Sequence, residues 1–328
     1  MNYRTLGTTG LKVSEVSLGT WQVGGGWGQQ FDHKQAEAII NSAVDGGINF
    51  IDTADVYSDG LSEAAVGKVV KSRSEDIAVA TKCGRQISPH VAKGYTPDAL
   101  RKYVEESLKN SGLERLDVIQ LHCPPTDVYY RPEIFELFDR LKDEGKIGHL
   151  GVSVEKVEEA LKAILYPNVK TVQIIFNMFR MRPREDFFAR AVTRGVGVIV
   201  RVPLASGLLS GKFTRDTTFA SDDHRNFNRD GSAFDKGETF SGVPYERGLD
   251  AVEELRGVLP QNITPAQAAI RWILDHPAVS TVIPGASRPE QVSANMAVSD
   301  MAPLSPEVHR KVDDIYNRLI REHVHQRW

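Results

Sequence analysis

The sequence has little cysteine and no long apolar run, and both absences exclude whole classes of protein. Its two cysteines, Cys83 and Cys123, lie far apart and fit neither a disulfide scaffold nor a zinc ribbon. No stretch approaches the roughly 18 apolar residues of a transmembrane helix. The N-terminus, MNYRTLGTTGLKVSEVSLGT, lacks the basic start and apolar core of a signal peptide. We therefore expect reduced thiols and a cytoplasmic protein with no membrane partner.

The charge balance is nearly neutral, with a formal net charge of −3 over 328 residues. That balance gives no sign of a nucleic-acid partner. The nine histidines are scattered without a His-x-x-x-His pair, so we predict no metal site. Apolar residues make up 41% and charged residues 25%, close to the average for a soluble globular chain. Composition therefore leaves small-molecule chemistry open and says nothing about protein partners.

Short apolar, β-branched segments recur along the chain and predict strands. Segments with helical spacing of apolar residues separate them. In TPDALRKYVEESLKNSG, for example, Thr96 is the predicted N-cap, Pro97 the first helical residue and Gly112 the residue past the end. The eight predicted strands are 15–20, 49–54, 76–82, 116–122, 147–153, 171–177, 196–204 and 280–286.

Strands that alternate with helices imply a parallel sheet, either open and doubly wound or closed into a barrel. Eight repeated units favour the barrel, and the first strand lacks the Gly-x-Gly-x-x-Gly turn of an open dinucleotide-binding sheet. The glycine-rich stretch QVGGGWG (22–28) leads into polar residues, so we interpret it as a loop. We predict an α/β fold, a single (β/α)8 TIM barrel domain over 1–328 with a C-terminal extra helix.

One segment interrupts the alternation of predicted strands and helices. Residues 206–245, after the seventh predicted strand, form a long, polar, glycine-bearing insertion. Structureless loops of that length are uncommon in compact domains, and they are usually functional lids or disordered. Because the segment leaves the carboxyl end of a barrel strand, we expect it on the face where such barrels keep their active sites.

Polar side chains collect at the predicted strand ends, which converge on that face. The second strand contains Asp52 and Tyr57 follows it, while Lys82 ends the third strand and His122 the fourth. An acid, a phenol, an ammonium and an imidazole suit proton delivery to a carbonyl that receives a hydride. Ser153, Gln173 and Asn177 come from the next two strands.

Tyr57 needs help to act as an acid near neutral pH. An ammonium about 4 Å away, at an effective dielectric near 20, supplies up to roughly 4 kcal/mol, or about three pKa units. We therefore expect Lys82 to lower the pKa of Tyr57, with Asp52 holding Lys82 in place while offsetting part of its field. His122 is expected to orient the substrate oxygen or to relay a proton.

The motifs FIDTADVY, VATK and IQLH, at the ends of the second, third and fourth strands, resemble the catalytic signature of the aldo-keto reductase superfamily. GKIGHLGVS, PLASGLLSGKF and IPGASRPEQVSAN extend the resemblance over nearly the whole chain. It is closer to the bacterial reductases and potassium-channel β subunits than to the mammalian aldose reductases. The resemblance implies a nicotinamide cofactor, reduction of aldehydes or ketones, and Asp52, Tyr57, Lys82 and His122 as the catalytic residues.

The same resemblance implies a set of cofactor-binding residues at the rim of the barrel. They are Gly19, Thr20, Trp21, Asp52, Ser153, Gln173, Arg201, Val202, Pro203, Leu204, Ser206, Gly207, Lys212, Gly285, Ser287, Arg288, Gln291 and Asn295.

The chain departs from the family pattern in places. Val154 replaces the asparagine that usually helps to hold the nicotinamide carboxamide, and Arg201 stands where an aromatic residue commonly stacks on the nicotinamide. A planar guanidinium also stacks on rings. Arg288 is able to fork onto a ribose 2′-phosphate, which favours NADPH, whereas Gln291 replaces an arginine that many relatives use for that phosphate. We predict NADPH, with NADH as the alternative.

Two other functions stay open on the sequence alone. Lys82, at a strand end beside Tyr57, also suits a Schiff-base lysine of an aldolase-like barrel. A redox-sensing partner subunit with slow turnover is the other alternative. Among the remaining polar residues, we interpret Asp55 and Glu63 as loop and helix-start support.

Overall fold

The computed structural model describes residues 1–25 and 30–328, so part of the predicted loop at 22–28 lies outside the described residues. Its centre is a sheet of eight parallel strands paired in the order of the chain. Every one of the eight predicted strands is present, although most are shorter than predicted. They are β3 (Leu18–Gly19), β4 (Phe50–Asp52), β5 (Ala78–Cys83), β6 (Leu116–His122), β7 (Ile147–Ser153), β8 (Val169–Ile175), β9 (Gly197–Arg201) and β10 (Val279–Val282), preceded by β1 (Tyr3–Thr5) and β2 (Lys12–Ser14).

The sheet closes on itself. Parallel bridges join Val16 to Val282 and Gly19 to Gly285, so the first and last strands of the sheet meet. Gly19 is required at this closure, because a Cβ there would lie 2.8 Å from the carbonyl oxygen of Ile283. The prediction of a (β/α)8 barrel over an open sheet is confirmed.

Helices surround the barrel and begin and end largely where their sequences predict. The Thr96 side chain caps its helix by accepting a hydrogen bond from the Ala99 N–H, and Gly112 ends the helix with φ at +63°. The helices are α1 (His33–Asp45), α2 (Leu61–Ser72), α3 (Pro97–Ser111), α4 (Pro132–Asp143), α5 (Val157–Ala163), α6 (Phe187–Arg194), α7 (His224–Phe227), α8 (Tyr245–Val258), α9 (Pro265–Leu274), α10 (Pro289–Met296), α11 (Pro306–Ile315) and α12 (Arg321–Val324). The predicted C-terminal extra helix corresponds to α11 and α12. No helix in the described part of the chain is long and apolar enough to cross a membrane.

An N-terminal hairpin closes the amino-terminal end of the barrel, which the sequence analysis did not predict. Strands β1 and β2 pair antiparallel. Leu6 and Val13 are buried against barrel residues that include Phe50 and Ile199. The hairpin therefore seals the end opposite the carboxyl ends of the strands, where the polar residues gather.

The long segment after β9 is more ordered than its composition predicts. It contains helical turns at Ala205–Ser210, Lys236–Glu238 and Phe240–Gly242, besides the short helix α7. Asn177 holds both of its ends, because its side-chain amide donates to the carbonyl of Val202 and to the hydroxyl of Ser241. The segment folds over the carboxyl ends of the strands.

Candidate active site

A cavity of about 560 Å³ opens at the carboxyl ends of the barrel strands. Its wall includes three of the four predicted catalytic residues, Asp52, Tyr57 and His122. Lys82 lies directly beneath, with only 1% of its side chain exposed. The structure therefore brings all four together, as the convergence of parallel strand ends requires.

Asp52 and Lys82 form an ion pair that we call the inner pair. The Lys82 ammonium donates to Asp52 Oδ1 at 2.5 Å, to the carbonyl oxygen of Thr53 at 2.7 Å and to the hydroxyl of Tyr57 at 3.2 Å. An ammonium has three N–H donors, and all three are used here. The inner pair thus fixes the phenol that faces the cavity.

The second oxygen of Asp52 is held by two amides. Gln120 Nε2 donates to Asp52 Oδ2 at 3.0 Å, and Gln173 Nε2 donates to the same atom at 2.7 Å. The sequence analysis missed Gln120. Its signal was available, because Gln120 precedes His122 by two residues on β6 and so points to the same face of the strand.

Burial and the charges of the inner pair have opposite effects on the pKa values of Lys82 and Tyr57. Burial disfavours a charged Lys82, but Asp52 and Tyr57 outweigh it, so the pKa of Lys82 is raised and the ammonium stays charged. Burial also raises the pKa of Tyr57, and the attraction of Lys82 only partly offsets it because Asp52 acts in the opposite direction. Lys82 does lower the pKa of Tyr57, as predicted. The prediction of a net lowering is wrong, because the combined effect raises that pKa.

His122 is neutral in this site. Burial lowers its pKa well below the usual range, and the charges of Lys82, Arg85 and Arg201 lower it further. Its ring meets that of Tyr57 edge to face, with centroids 6.2 Å apart. A neutral imidazole beside the phenol is suited to hydrogen-bonding a substrate oxygen.

Most of the predicted cofactor-binding residues line the same cavity. Gly207 needs its glycine conformation there, since its φ is +100° and a Cβ would lie 2.8 Å from the Phe213 ring. The predicted residues in the wall are Gly19, Thr20, Trp21, Asp52, Gln173, Arg201, Val202, Pro203, Leu204, Ser206, Gly207, Lys212, Gly285 and Gln291. Those outside it are Ser153, Ser287, Arg288 and Asn295.

The residues outside the wall differ in their surroundings. Ser153 is buried, with its hydroxyl 3.5 Å from the Cys123 sulfur. The Ser287 hydroxyl donates to Gln291 Oε1, and Arg288 is exposed beside Glu290 at 3.8 Å. Their contacts to a cofactor stay predictions.

Arg201 belongs to a group of largely buried charged residues at the rim of the cavity, which we call the rim cluster. Its members are Arg85, Glu155, Arg201 and Glu238. The Arg201 guanidinium donates to Glu155 Oε2 at 3.0 Å and to the Val154 carbonyl at 3.1 Å. Glu238, from the segment after β9, lies 3.8 Å from Arg201 and 3.6 Å from Arg85. The sequence analysis missed Arg85, Glu155 and Glu238. The Arg201 guanidinium is therefore already held by other groups of the protein. Its stacking on a nicotinamide stays a prediction.

Two acidic residues interpreted as supporting groups turn out to be buried. Glu63 accepts hydrogen bonds from Thr81 and Asn110, so it joins α2 to the barrel and to α3. Both oxygens of Asp55 are buried without a hydrogen-bond partner among the described residues. Burial, with Glu63 nearby, raises the pKa of Asp55 to about 7.

The sequence and the fold were compared with those of known proteins, and both have clear relatives. A model of the Aldo/keto reductase family matches residues 15–317. The chain is 29% identical to the aldo-keto reductase YhdN of Bacillus subtilis, over 99% of this chain and 96% of that protein. It is 30% identical to a probable voltage-gated potassium channel subunit beta of Arabidopsis thaliana, over 96% of each chain. The predicted resemblance to both branches is confirmed.

Two further relatives have names that state a substrate or a cofactor. The structure of the glycerol dehydrogenase AKR11B4 from Gluconobacter oxydans matches with a TM-score of 0.78 and 30% identity, over 99% of this chain and 96% of that one. An NADH-specific methylglyoxal reductase of Escherichia coli is 28% identical, over 89% of this chain and 91% of that protein.

Proposed function

The chain belongs to the aldo/keto reductase family of NAD(P)H-dependent oxidoreductases, and on that premise we propose that it reduces an aldehyde or ketone to the alcohol with NADPH. The observation that carries the proposal is the hydrogen bond from the inner pair to Tyr57, whose phenol borders the cavity beside neutral His122. We assign Tyr57 as the proton donor. His122 holds the substrate carbonyl oxygen.

The inner pair holds the Tyr57 hydroxyl in position through the hydrogen bond from Lys82. When bound, the nicotinamide supplies the hydride that the carbonyl carbon accepts. Negative charge then develops on the carbonyl oxygen, and the Tyr57 hydroxyl gives it a proton. Lys82 stabilises the resulting phenolate, because its charged ammonium already donates a hydrogen bond to that oxygen. Asp52 holds the ammonium in place by accepting its hydrogen bond.

The cavity has the chemistry that a dinucleotide requires. Lys212 and Arg225 line part of its wall beside Ser206 and Ser210, and they offer cationic donors for the pyrophosphate. Gln173 lines the wall beside Asp52 and offers an amide for the nicotinamide carboxamide. These residues therefore fit a nicotinamide dinucleotide.

The preference for NADPH rests on Arg288. Its side chain is 60% exposed, and the carboxylate of Glu290 lies at 3.8 Å, so its fork of donors is accessible to a 2′-phosphate. Arg288→Ala should raise the Michaelis constant for NADPH much more than that for NADH. Equal effects on the two cofactors would reject the assignment. The name of the relative from Escherichia coli makes NADH the alternative to be tested.

The geometry argues against the aldolase alternative. A Schiff-base lysine must attack as a neutral amine, whereas Lys82 is buried, charged and bound to three acceptors. Borohydride treatment with a carbonyl substrate should leave Lys82 unmodified. Trapping of substrate on Lys82 would support the aldolase reading instead.

The proposed reaction is tested by a panel of aldehydes, sugars and keto compounds, followed by the loss of NADPH absorbance. We expect turnover with at least one class of carbonyl and none without a carbonyl. If NADPH binds but no compound is reduced, the redox-sensing partner subunit becomes the better account. Size-exclusion chromatography and pull-down experiments then test for a bound protein.

A further inference from the structure

Arg85 stands between the active-site cavity and a second cavity. It follows β5, three residues after Lys82, and it lines the cavity that contains Tyr57 and His122. It also lines a neighbouring cavity of about 330 Å³, whose wall includes Pro124 and Lys156. A substrate whose carbonyl lies at Tyr57 therefore occupies a cavity whose wall includes Arg85.

The donors of Arg85 are unused within the described part of the chain. No hydrogen bond is donated by its guanidinium to any described residue, and its two ion pairs are long, 3.6 Å to Glu238 and 3.9 Å to Glu155. Arg201, a few ångströms from the same carboxylates, donates at 3.0 Å. A guanidinium has five N–H donors in a rigid fork, so Arg85 has the capacity to bind a planar acceptor group.

The carboxylates of the rim cluster do not neutralise both arginines. Oε1 of Glu155 and Oε1 of Glu238 are buried and accept no hydrogen bond from the described residues. Burial, and then Glu238, raises the pKa of Glu155 well above its usual range. Burial opposes ionisation of Glu238, but Arg201 outweighs it and lowers that pKa to about 2. Two guanidiniums thus face two carboxyl groups, and burial disfavours the charged form of one of them, Glu155.

The other charged groups near Arg85 are of both signs, since Lys156, Glu159 and Asp235 also line the second cavity. His122 is neutral, and Asp52 is already paired with Lys82. Arg201 Nε is a further buried donor without a partner among the described residues. The substrate end of the cavity therefore has unused hydrogen-bond donors on Arg85 and Arg201, which an acceptor-rich anion satisfies and a neutral alkyl group does not.

We propose that Arg85 is a substrate-specificity residue that binds an anionic group, a carboxylate or a phosphate, on the distal end of the carbonyl substrate. The proposal rests on the proposed function, because it requires the carbonyl to lie at Tyr57 and His122. It makes oxo acids and acidic or phosphorylated aldehydes the preferred substrate class.

The test compares substrates that differ only in charge. 4-Formylbenzoate and 4-formylbenzamide have nearly the same shape, and glyceraldehyde 3-phosphate is compared with glyceraldehyde. We expect the wild-type enzyme to favour the anionic member of at least one pair in kcat/KM. In Arg85→Gln that member should lose about 10- to 100-fold, as expected for a charged hydrogen bond, while the neutral member changes little. The pair that responds more strongly identifies carboxylate or phosphate.

Two further variants make the result specific. Arg85→Lys keeps the charge but loses the fork, so it should recover part of the lost preference. Arg190→Gln removes an exposed arginine on α6 and should leave every ratio unchanged.

The possible failures are distinguishable. Equal loss on both members of each pair, or no preference in the wild type, would overturn the role of Arg85 while the proposed reduction stands. A preference for glyceraldehyde and other neutral polyols that Arg85→Gln abolishes would mean that Arg85 binds hydroxyl groups instead. If the wild type reduces none of the four aldehydes or any other carbonyl compound, the proposed function fails and this inference fails with it.

Discussion

The inner pair and the rim cluster border the same cavity, yet their hydrogen bonding differs. All three donors of Lys82 are used, and both oxygens of Asp52 accept hydrogen bonds. In the rim cluster, Arg201 Nε and one oxygen each of Glu155 and Glu238 have no partner among the described residues. Buried polar groups are normally satisfied, so the difference separates a site built to hold one geometry from a site that is completed by a ligand.

The largest effect should come from removing the charge at the centre of the inner pair. Lys82→Met leaves Asp52 buried without its counter-ion, and we expect the free energy of unfolding to fall by about 3–5 kcal/mol, with loss of reduction. Urea unfolding measures the change. The double variant Asp52→Asn/Lys82→Met should regain part of the stability without regaining activity. A single variant as stable as the wild type would contradict the account of the inner pair.

Asp55 lies in the loop after β4, near the inner pair, and neither of its carboxylate oxygens has a hydrogen-bond partner among the described residues. Its pKa is about 7 in the fold against an ordinary value of 3.8, so the folded state holds a proton that the unfolded state has released. Stability is therefore lost as the pH rises from 3.8 to 7, and Asp55→Asn should remove that loss. We expect the stability advantage of the variant to be about 2–3 kcal/mol larger at pH 8 than at pH 5. An advantage independent of pH would show that Asp55 is ionised throughout.

Gln120 tests whether the second oxygen of Asp52 matters. Gln120→Leu removes a hydrogen bond to a buried carboxylate, and we expect a loss of about 2 kcal/mol in the free energy of unfolding, with slower turnover. The surface change Gln261→Leu is the control and should cost less than about 0.5 kcal/mol. If the two variants behave alike, Gln173 alone suffices to hold Asp52.

The smallest effect should come from the rim cluster. In Glu238→Gln one carboxyl group, Glu155, remains to carry a negative charge for both arginines. We expect the free energy of unfolding to change by about 1 kcal/mol or less. The double variant Glu155→Gln/Glu238→Gln leaves neither carboxylate to face the two arginines, so it should be clearly less stable. A single variant as damaging as Lys82→Met would make the rim cluster a structural ion pair rather than a ligand site.

Asp52, Lys82 and His122 could be expected to lie together because each of them belongs to a local motif. Asp52, Lys82 and His122 end apolar strands, and parallel strand ends meet at one face. The rim cluster was missed because Arg85, Glu155 and Glu238 come from three separate loops, whose mutual approach depends on tertiary folding. The net direction of the Tyr57 pKa was missed for a related reason, since burial is set by the whole structure.

The fold shows the same division. The strand and helix pattern predicted the barrel and the caps of α3. The N-terminal hairpin was not predicted, because Tyr3–Thr5 and Lys12–Ser14 are too short to give a periodic signal. The polar composition of 206–245 concealed its helical turns, which depend on Asn177 and other tertiary contacts.

The most direct test of the central claim is the turnover of Tyr57→Phe with NADPH and a carbonyl substrate that the wild type reduces. The variant keeps the ring but removes the hydroxyl that accepts the Lys82 hydrogen bond. We predict a loss of reduction of about 100-fold or more, within the range for general acid catalysis, with NADPH binding by fluorescence nearly unchanged. If the variant binds NADPH and keeps most of its turnover, Tyr57 is not the proton donor and the proposed mechanism is wrong.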